Sequence, residues 1–431
     1  MRDSVRPLII AEMANPEWVS VPLVGWSMSR ALQESGEGHI VTQIRNRAAF
    51  LRKGLIEGKD FTAIDTEAVT RPIWRIGQSL RMGKGKGWTM VTAINALLYP
   101  YFERQVWKQF GPDLKAGKYD LVHRVTPLSP TVSSPIARRC KEAGIPFLMG
   151  PINGGLPWPR GFDAERRQER EWLSYVRGAY KMMPGRRRTL EAASAIIVGS
   201  QHTLTEMPDG VRGKCIYMPE NGVDLARFPA QPNRQPNRPL RCIFVGRLVP
   251  YKCPDVLIES AEPLLARNDL SLEFCGDGPM MGALRQQAKD LGLTESITFH
   301  GNVPHTELQR IFSKADLFTF PSIREFGGAV VIEAMALGVV PLIVDYGGPS
   351  EHVTQETGFA VPVGSREDIA ASFRRQLETI VANPDQLPAM ARAGRARIED
   401  RYAWEKKAAQ VREIYSWVLG HRPDKPDPCP P

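Results

Sequence analysis

The sequence predicts an α/β protein made of two doubly wound domains, and three observations lead there. Short apolar runs of strand length alternate with segments of helical periodicity along the chain. Strands joined by crossover helices form parallel sheets covered on both faces. A turn, Pro219-Glu-Asn-Gly-Val-Asp224, and a polar tract, Gln231-Pro-Asn-Arg-Gln-Pro-Asn-Arg-Pro239, interrupt the alternation before a second series of strands restarts at Arg241. Such composition marks a linker. At 431 residues the chain is also too long for one ordinary core.

The strands expected in the first half are Leu8–Ala11, His39–Gln43, Leu121–Val125, Ile145–Met149 and Ala195–Val198. Those expected in the second half are Arg241–Val245, Leu272–Cys275, Ile297–His300, Leu317–Pro321, Val340–Val344 and Phe359–Val361. Between them, Arg52–Glu103 has weak periodicity and a Gly/Lys cluster, Gly83-Lys-Gly-Lys-Gly87, and takes no assignment. The expected organisation is a first domain over 1–218, a linker over 219–240, a second domain over 241–402 and a helix over 403–420. The Pro-rich tail, 421–431, is expected to be disordered. Two such domains would leave a cleft, and in these sheets ligands bind beyond the carboxyl ends of the strands.

Composition narrows the function classes. Hydrophobic content of 42% with 24% charged residues is that of a soluble globular protein. There is no apolar run long enough to span a bilayer, and the N-terminus reads as a first strand rather than a signal peptide. The six cysteines are scattered, without CxxC or Cys/His metal spacing. That fits a reduced, cytoplasmic compartment and gives no reason to expect structural zinc. Net charge is +9, partly concentrated in the block Glu169–Arg188, where cations interleave with Trp172, Leu173, Tyr175, Val176, Tyr180, Met182 and Met183. This block reads either as a peripheral patch for the anionic inner face of a membrane or as a helix with its apolar stripe in the core. No nucleic-acid partner is expected, since no basic fold motif accompanies the charge.

The chemistry is densest in Pro321-Ser-Ile-Arg-Glu-Phe-Gly-Gly-Ala-Val-Val-Ile-Glu-Ala-Met-Ala336. Glu325 precedes Gly327 and Gly328, and Glu333 lies two turns inside the Ala-rich run that follows. A loop entering a helix there would offer unpaired N–H groups and a partial positive charge to a phosphate. The glycines permit close approach, and the acids can accept hydrogen bonds from hydroxyls of the same ligand. Phosphate beside polyol suggests a sugar nucleotide. Gly246, Arg247 and Lys252 follow the strand Arg241–Val245, so both cations leave its carboxyl end. Together they could neutralise a diphosphate without a metal. Three further loops follow strands at the same edge: Gly276-Asp-Gly-Pro279, Gly301-Asn-Val-Pro304 and Gly347-Gly-Pro-Ser-Glu351. The backbone around Val303 is the candidate for the base. In the first half, Pro22-Leu-Val-Gly25 is read as a loop after the first strand, with Gly25 admitting a diphosphate. Gly150-Pro-Ile-Asn-Gly-Gly155 is read as a loop facing the cleft, with Asn153 and Gly154 as acceptor-side or sugar-side candidates.

With these residues in view, the second half resembles the retaining nucleotide-sugar glycosyltransferases of family 4, the glycosyl transferases group 1. The motifs run in order: Asn221-Gly-Val-Asp224 with Phe228; Gly246-Arg-Leu with Lys252; Gly276-Asp-Gly-Pro279; Phe299-His-Gly301; Ala315-Asp316; Pro321-Ser322; Glu325 through Ala336; and Gly338. Tyr402-Ala-Trp404 and the helix to Trp417 look like the family's C-terminal segment, which crosses back to the first domain. The resemblance covers about residues 195–418 and implies the GT-B fold. It implies that Arg247 and Lys252 hold the donor diphosphate, Glu325 the donor sugar and Glu333 the ribose. The N–H groups of Phe326, Gly327, Gly328 and Ala329 would hold phosphate or sugar, and Gly25 would lie near the diphosphate. Many members carry a histidine after a middle strand of the first domain. Here Gly150–Gly155 has none, and His123, in Asp120-Leu-Val-His-Arg124, follows a different strand. His123 is a candidate cleft residue or a satisfied core histidine.

The expected activity is retaining transfer of a hexosyl unit from a nucleotide diphosphate sugar to a hydroxyl acceptor, with no cofactor. A polysaccharide or glycolipid intermediate would be the acceptor. A nucleotide-sugar epimerase and a non-catalytic nucleotide-sugar-binding subunit are the alternatives.

Overall fold

A computed structural model describes residues 5–72, 88–159, 161–163, 166, 185–229 and 235–428. The basic aromatic stretch from Trp172 to Met183 and the Gly83–Gly87 cluster lie outside them. The chain divides into two compact units. The first comprises Met1–Gly155, Glu169–Gly222 and Trp404–Pro431, and the second Leu156–Gln168 and Val223–Ala403.

The first unit is a seven-stranded sheet. Its strands in chain order are β1 (Pro7–Ala11), β2 (His39–Gln43), β3 (Phe61–Ile64), β4 (Leu121–Thr126), β5 (Phe147–Ile152), β6 (Ala195–Val198) and β7 (Cys215–Tyr217). All pair in parallel, in the order β3-β2-β1-β4-β5-β6-β7. Successive side chains alternate between two apolar layers, as the pleat requires. Leu8 and Ile10 face one layer with helices Trp88–Lys115 and Pro135–Glu142. Ile9 and Ala11 face the other with helices Val21–Glu34 and Trp404–Val418. The C-terminal helix is therefore structural to this unit: Ala408, Val411 and Ile414 are fully buried against Met28 and Leu32.

The second unit is a six-stranded parallel sheet in the order β10-β9-β8-β11-β12-β13. Its strands are β8 (Leu240–Val245), β9 (Leu270–Cys275), β10 (Ile297–Gly301), β11 (Leu317–Phe320), β12 (Val340–Asp345) and β13 (Phe359–Pro362). One continuous core surrounds it. Asp316 anchors the entry to this sheet from a buried position. Its carboxylate accepts from Arg241 N at 2.8 Å and Asn237 Nδ2 at 2.9 Å.

Several expectations change. Two strands went unassigned: β3, inside the weakly periodic Arg52–Glu103 span, and the three-residue β7. Pro22 and Gly25 stand in the first two turns of helix Val21–Glu34 rather than in a loop. Gly150, Pro151 and Ile152 complete β5, so only Asn153–Gly155 is loop. Leu156–Gln168, placed in the first domain from sequence, groups with the second unit. The tail is laid down as far as Pro428 rather than disordered. Arg422 pairs with Glu413 at 2.9 Å, Gln410 Nε2 donates to Pro428 O at 3.1 Å, and Pro426 is buried.

Candidate functional site

Strand order reverses in the second unit between β8 and β11, the switch point at which open parallel sheets bind ligands. The loop after β8 carries Gly246, Arg247 and Lys252, and the loop after β11 carries Pro321 to Gly328. An ion pair joins the two, with Lys252 Nζ 2.6 Å from Glu325 Oε1. Lys252 also lies 5.0 Å from the centroid of the Phe320 ring at the end of β11. Gly246 is needed here: its φ is +151°, and a Cβ would stand 3.1 Å from Lys252 Nζ. Arg247 is exposed at the same loop and makes no ion pair among the described residues.

The neighbouring loops are laced edge to edge. Gly246 N donates to Cys275 O at 2.9 Å, Gly276 N to Gly301 O at 2.8 Å and Leu248 N to Asp277 O at 3.0 Å. A Cβ on Gly276 or Gly278 would meet the carbonyls of Gly246 or Leu248 at 2.0 or 2.2 Å, which excludes any side chain. Along the carboxyl edge, the sheet order therefore sets the loops in the sequence Val303, Gly276–Pro279, Arg247 and Lys252, then Glu325.

After Glu325 the chain passes Phe326 and Gly327 to Gly328, whose φ of +58° opens helix Ala329–Ala336. The first N–H groups of that helix have no partner within it. Glu333 sits further along, partly buried. Burial raises its carboxyl to about 7, while the charge of Arg227 pulls the other way. A second segment braces the loop from behind. Gly348 N donates to Glu325 O at 3.0 Å, and His352 Nε2 lies 2.8 Å from Gly327 O.

Gly25, His123, Asn153 and Gly154 belong to the first unit. Gly25 stands at that unit's own switch point, between β1 and β4. A Cβ there would meet Met13 O at 2.1 Å and Thr126 Cγ2 at 2.9 Å, so the helix can approach the strand ends only through glycine. Asn153 Oδ1 accepts from Ser200 Oγ at 3.0 Å and Thr203 Oγ1 at 3.1 Å, and Gly154 N donates to Thr203 Oγ1 at 2.8 Å. His123 is a satisfied core histidine. It is fully buried in β4, with Tyr415 Oη 2.7 Å from Nδ1 and Gly150 O 2.8 Å from Nε2. Burial pulls it down to about 4.

Sequence reasoning missed the brace residue His352 and the packing of Trp158. The Trp158 ring lies 4.8 Å from the Arg324 guanidinium, in the loop that also carries Glu325. Neither has a local signal, since both contacts join positions distant in sequence. Among the described residues no cluster of His, Cys, Asp and Glu could hold a metal ion, and no helix is long and apolar enough to cross a membrane.

Two doubly wound parallel-sheet units are the parts of a GT-B fold. Solved structures share that architecture: the Anabaena protein HepE, in complex with UDP and glucose, superposes with a TM-score of 0.58 at 16% identity, covering 96% of this chain and 99% of its own. Residues 228–397 match the model of the family Glycosyl transferases group 1. Among characterised relatives, a D-inositol 3-phosphate glycosyltransferase of Gordonia bronchialis is 34% identical over 41% of this chain, and that match spans 40% of its own length. A GDP-mannose-dependent alpha-(1-6)-phosphatidylinositol monomannoside mannosyltransferase of Mycolicibacterium smegmatis is 28% identical, over 70% of this chain and 86% of its own.

Proposed function

We propose that this chain is a retaining glycosyltransferase that moves a hexosyl unit from a nucleoside diphosphate sugar to a hydroxyl of a carbohydrate or glycolipid. The observation that carries the reading is the Lys252–Glu325 pair, which sets a cation and a carboxylate side by side at the second unit's switch point, one loop from a helix N-terminus. The cation answers the diphosphate and the carboxylate answers sugar hydroxyls. Charge grows on the diphosphate as the glycosidic bond breaks, and Arg247, Lys252 and the helix terminus are placed to stabilise it before it forms. Glu333, deeper in the same helix, suits the ribose hydroxyls. The carboxylates orient hydroxyls rather than acting as a glycosidase acid/base pair. With the leaving phosphate accepting the acceptor proton, attack occurs from the face it departs, and configuration is retained. The relatives' donor and acceptor names favour a sugar nucleotide and an inositol-containing or lipid-linked acceptor.

The test is a thermal-shift screen of UDP, GDP and ADP and their sugars, since a ligand specific for the folded state raises its stability with concentration. Transfer from the donor that binds is then assayed with phosphatidylinositol mannosides and simple glycosides as acceptors, with and without EDTA. A shift with one diphosphate, transfer with retained anomeric configuration and indifference to EDTA are expected. No shift with any of them would reject the donor-site reading, and epimerised sugar formed from donor alone would identify an epimerase instead.

A further inference from the structure

The same three-part arrangement occurs in each unit. In the first, Tyr415 Oη, the His123 ring and Gly150 O are linked at 2.7 and 2.8 Å. In the second, Tyr402 Oη lies 3.0 Å from His352 Nδ1, and His352 Nε2 lies 2.8 Å from Gly327 O. Both tyrosines cross their histidine rings edge-on, at 89° and 88°. The chemistry fixes the protons. A carbonyl oxygen only accepts, so Nε2 must carry hydrogen; in neutral imidazole Nδ1 then accepts from the tyrosine hydroxyl.

The two differ in what they hold. Gly150 lies within β5, whereas Gly327 lies in the loop between Glu325 and the helix N-terminus. His352 ends the segment that supports that loop from behind. The segment takes the Glu325 carbonyl through Gly348 N, and its Gly348 packs so close that a Cβ would meet Phe326 O at 2.2 Å. In a planar trans peptide the N–H of the next residue points opposite to the carbonyl. Holding the Glu325 and Gly327 carbonyls from behind therefore aims the N–H groups of Phe326 and Gly328 away from the brace. Gly328 has no room to yield: a Cβ would stand 3.2 Å from His352 Cδ2.

We propose that His352 is a positioning residue for the donor-binding loop. Tyr402 sets its tautomer, and its Nε2–H fixes the Gly327 carbonyl so that the loop's N–H groups are aimed at phosphate. This rests on the donor-site reading above. His352 and Tyr402 are both buried, 2% exposed each, so neither touches ligand directly.

The experiment titrates UDP, GDP and ADP into the wild-type chain by calorimetry, then repeats the one that binds with four variants. His352→Leu, which removes the Nε2–H donor to the Gly327 carbonyl, should weaken binding by roughly tenfold or more. His352→Gln retains an N–H donor and should recover most of the affinity. Tyr402→Phe should fall between them. Tyr415→Phe, which removes the same hydroxyl from the twin in the first unit, should lower the melting temperature comparably and leave affinity unchanged. Equal affinity in wild type, His352→Leu and Tyr402→Phe would overturn the inference alone, as would equal losses in Tyr402→Phe and Tyr415→Phe. Should His352→Leu not fold, the contrast between the two Tyr→Phe variants decides by itself. A wild-type chain that binds none of the three diphosphates overturns the donor-site reading, and the inference with it.

Discussion

Lys252 has Glu325 as its counter-ion, so under the proposed function a diphosphate would compete with a carboxylate for one ammonium. This separates the effects of two substitutions. Lys252→Ala should lower kcat/KM by about 10²–10³-fold, the loss of ~3 kcal/mol of transition-state stabilisation. Glu325→Gln should release Lys252 to the diphosphate: nucleoside diphosphate affinity holds or rises while transfer falls by ~10²-fold, read from calorimetry and initial rates on the same preparations. Glu333 makes a pH prediction. Its folded carboxyl is raised to about 7 by burial, so the folded state holds a proton that the unfolded chain has released. The associated stability is complete below the ordinary carboxylate range and is lost as pH rises through about 7. Chemical denaturation from pH 5 to pH 8 should show that decline, and Glu333→Gln should flatten it. At this scale the loops that carry Gly246, Lys252 and Glu325 were readable, because these residues sit at fixed offsets from strand ends. His123 was not, because its fate depends on Tyr415, a residue 292 positions away.

Elements were legible where an apolar run is bounded by turn residues, as in β2, β6 and β8. They were not legible where burial comes from elsewhere: β7 is three residues long and, among the described residues, pairs only with β6, and β3 has two half-exposed central residues, which blur its apolar run. Gly25 shows how an element boundary can mislead. Pro22 and a glycine after a strand resemble a loop, yet proline is favoured in a helix's first turn and the glycine serves close packing. Gly25→Ala should therefore act through the helix's approach to β1 and β4, because its Cβ would overlap Met13 O. We expect a loss of about 1–3 kcal/mol by overpacking, measured by urea denaturation, despite alanine's better helix propensity. A gain in stability would show that the helix can move away from the strand ends.

Across the whole molecule, the division into two units followed from the linker and the restarted strand series, but the exchange of segments did not. No composition signal says that Leu156–Gln168 groups with the second unit or that Trp404–Val418 completes the first. Those assignments come from packing between distant positions. Removal of residues after Ala403 should therefore damage the first unit and spare the second. Ala408, Val411, Ile414 and Tyr415 fill one apolar layer of the seven-stranded sheet, and stripping them would bare Ile9, Ile40 and Ile197. The truncated chain should lose hydrogen-exchange protection in β1, β2 and β6 while β8, β9 and β11 stay protected. Uniform protection would show that the first sheet stands without its C-terminal helix.

That exchange of segments also bears on how the protein is made. The second unit is finished once synthesis reaches Ala403, and most of it is one unbroken stretch. The first unit, although its strands emerge from the ribosome earlier, must wait for the helix that ends at Val418. The order of birth and the order of completion are reversed: the domain translated first is the last to close, and a stop codon between Ala403 and Val418 strands the older half.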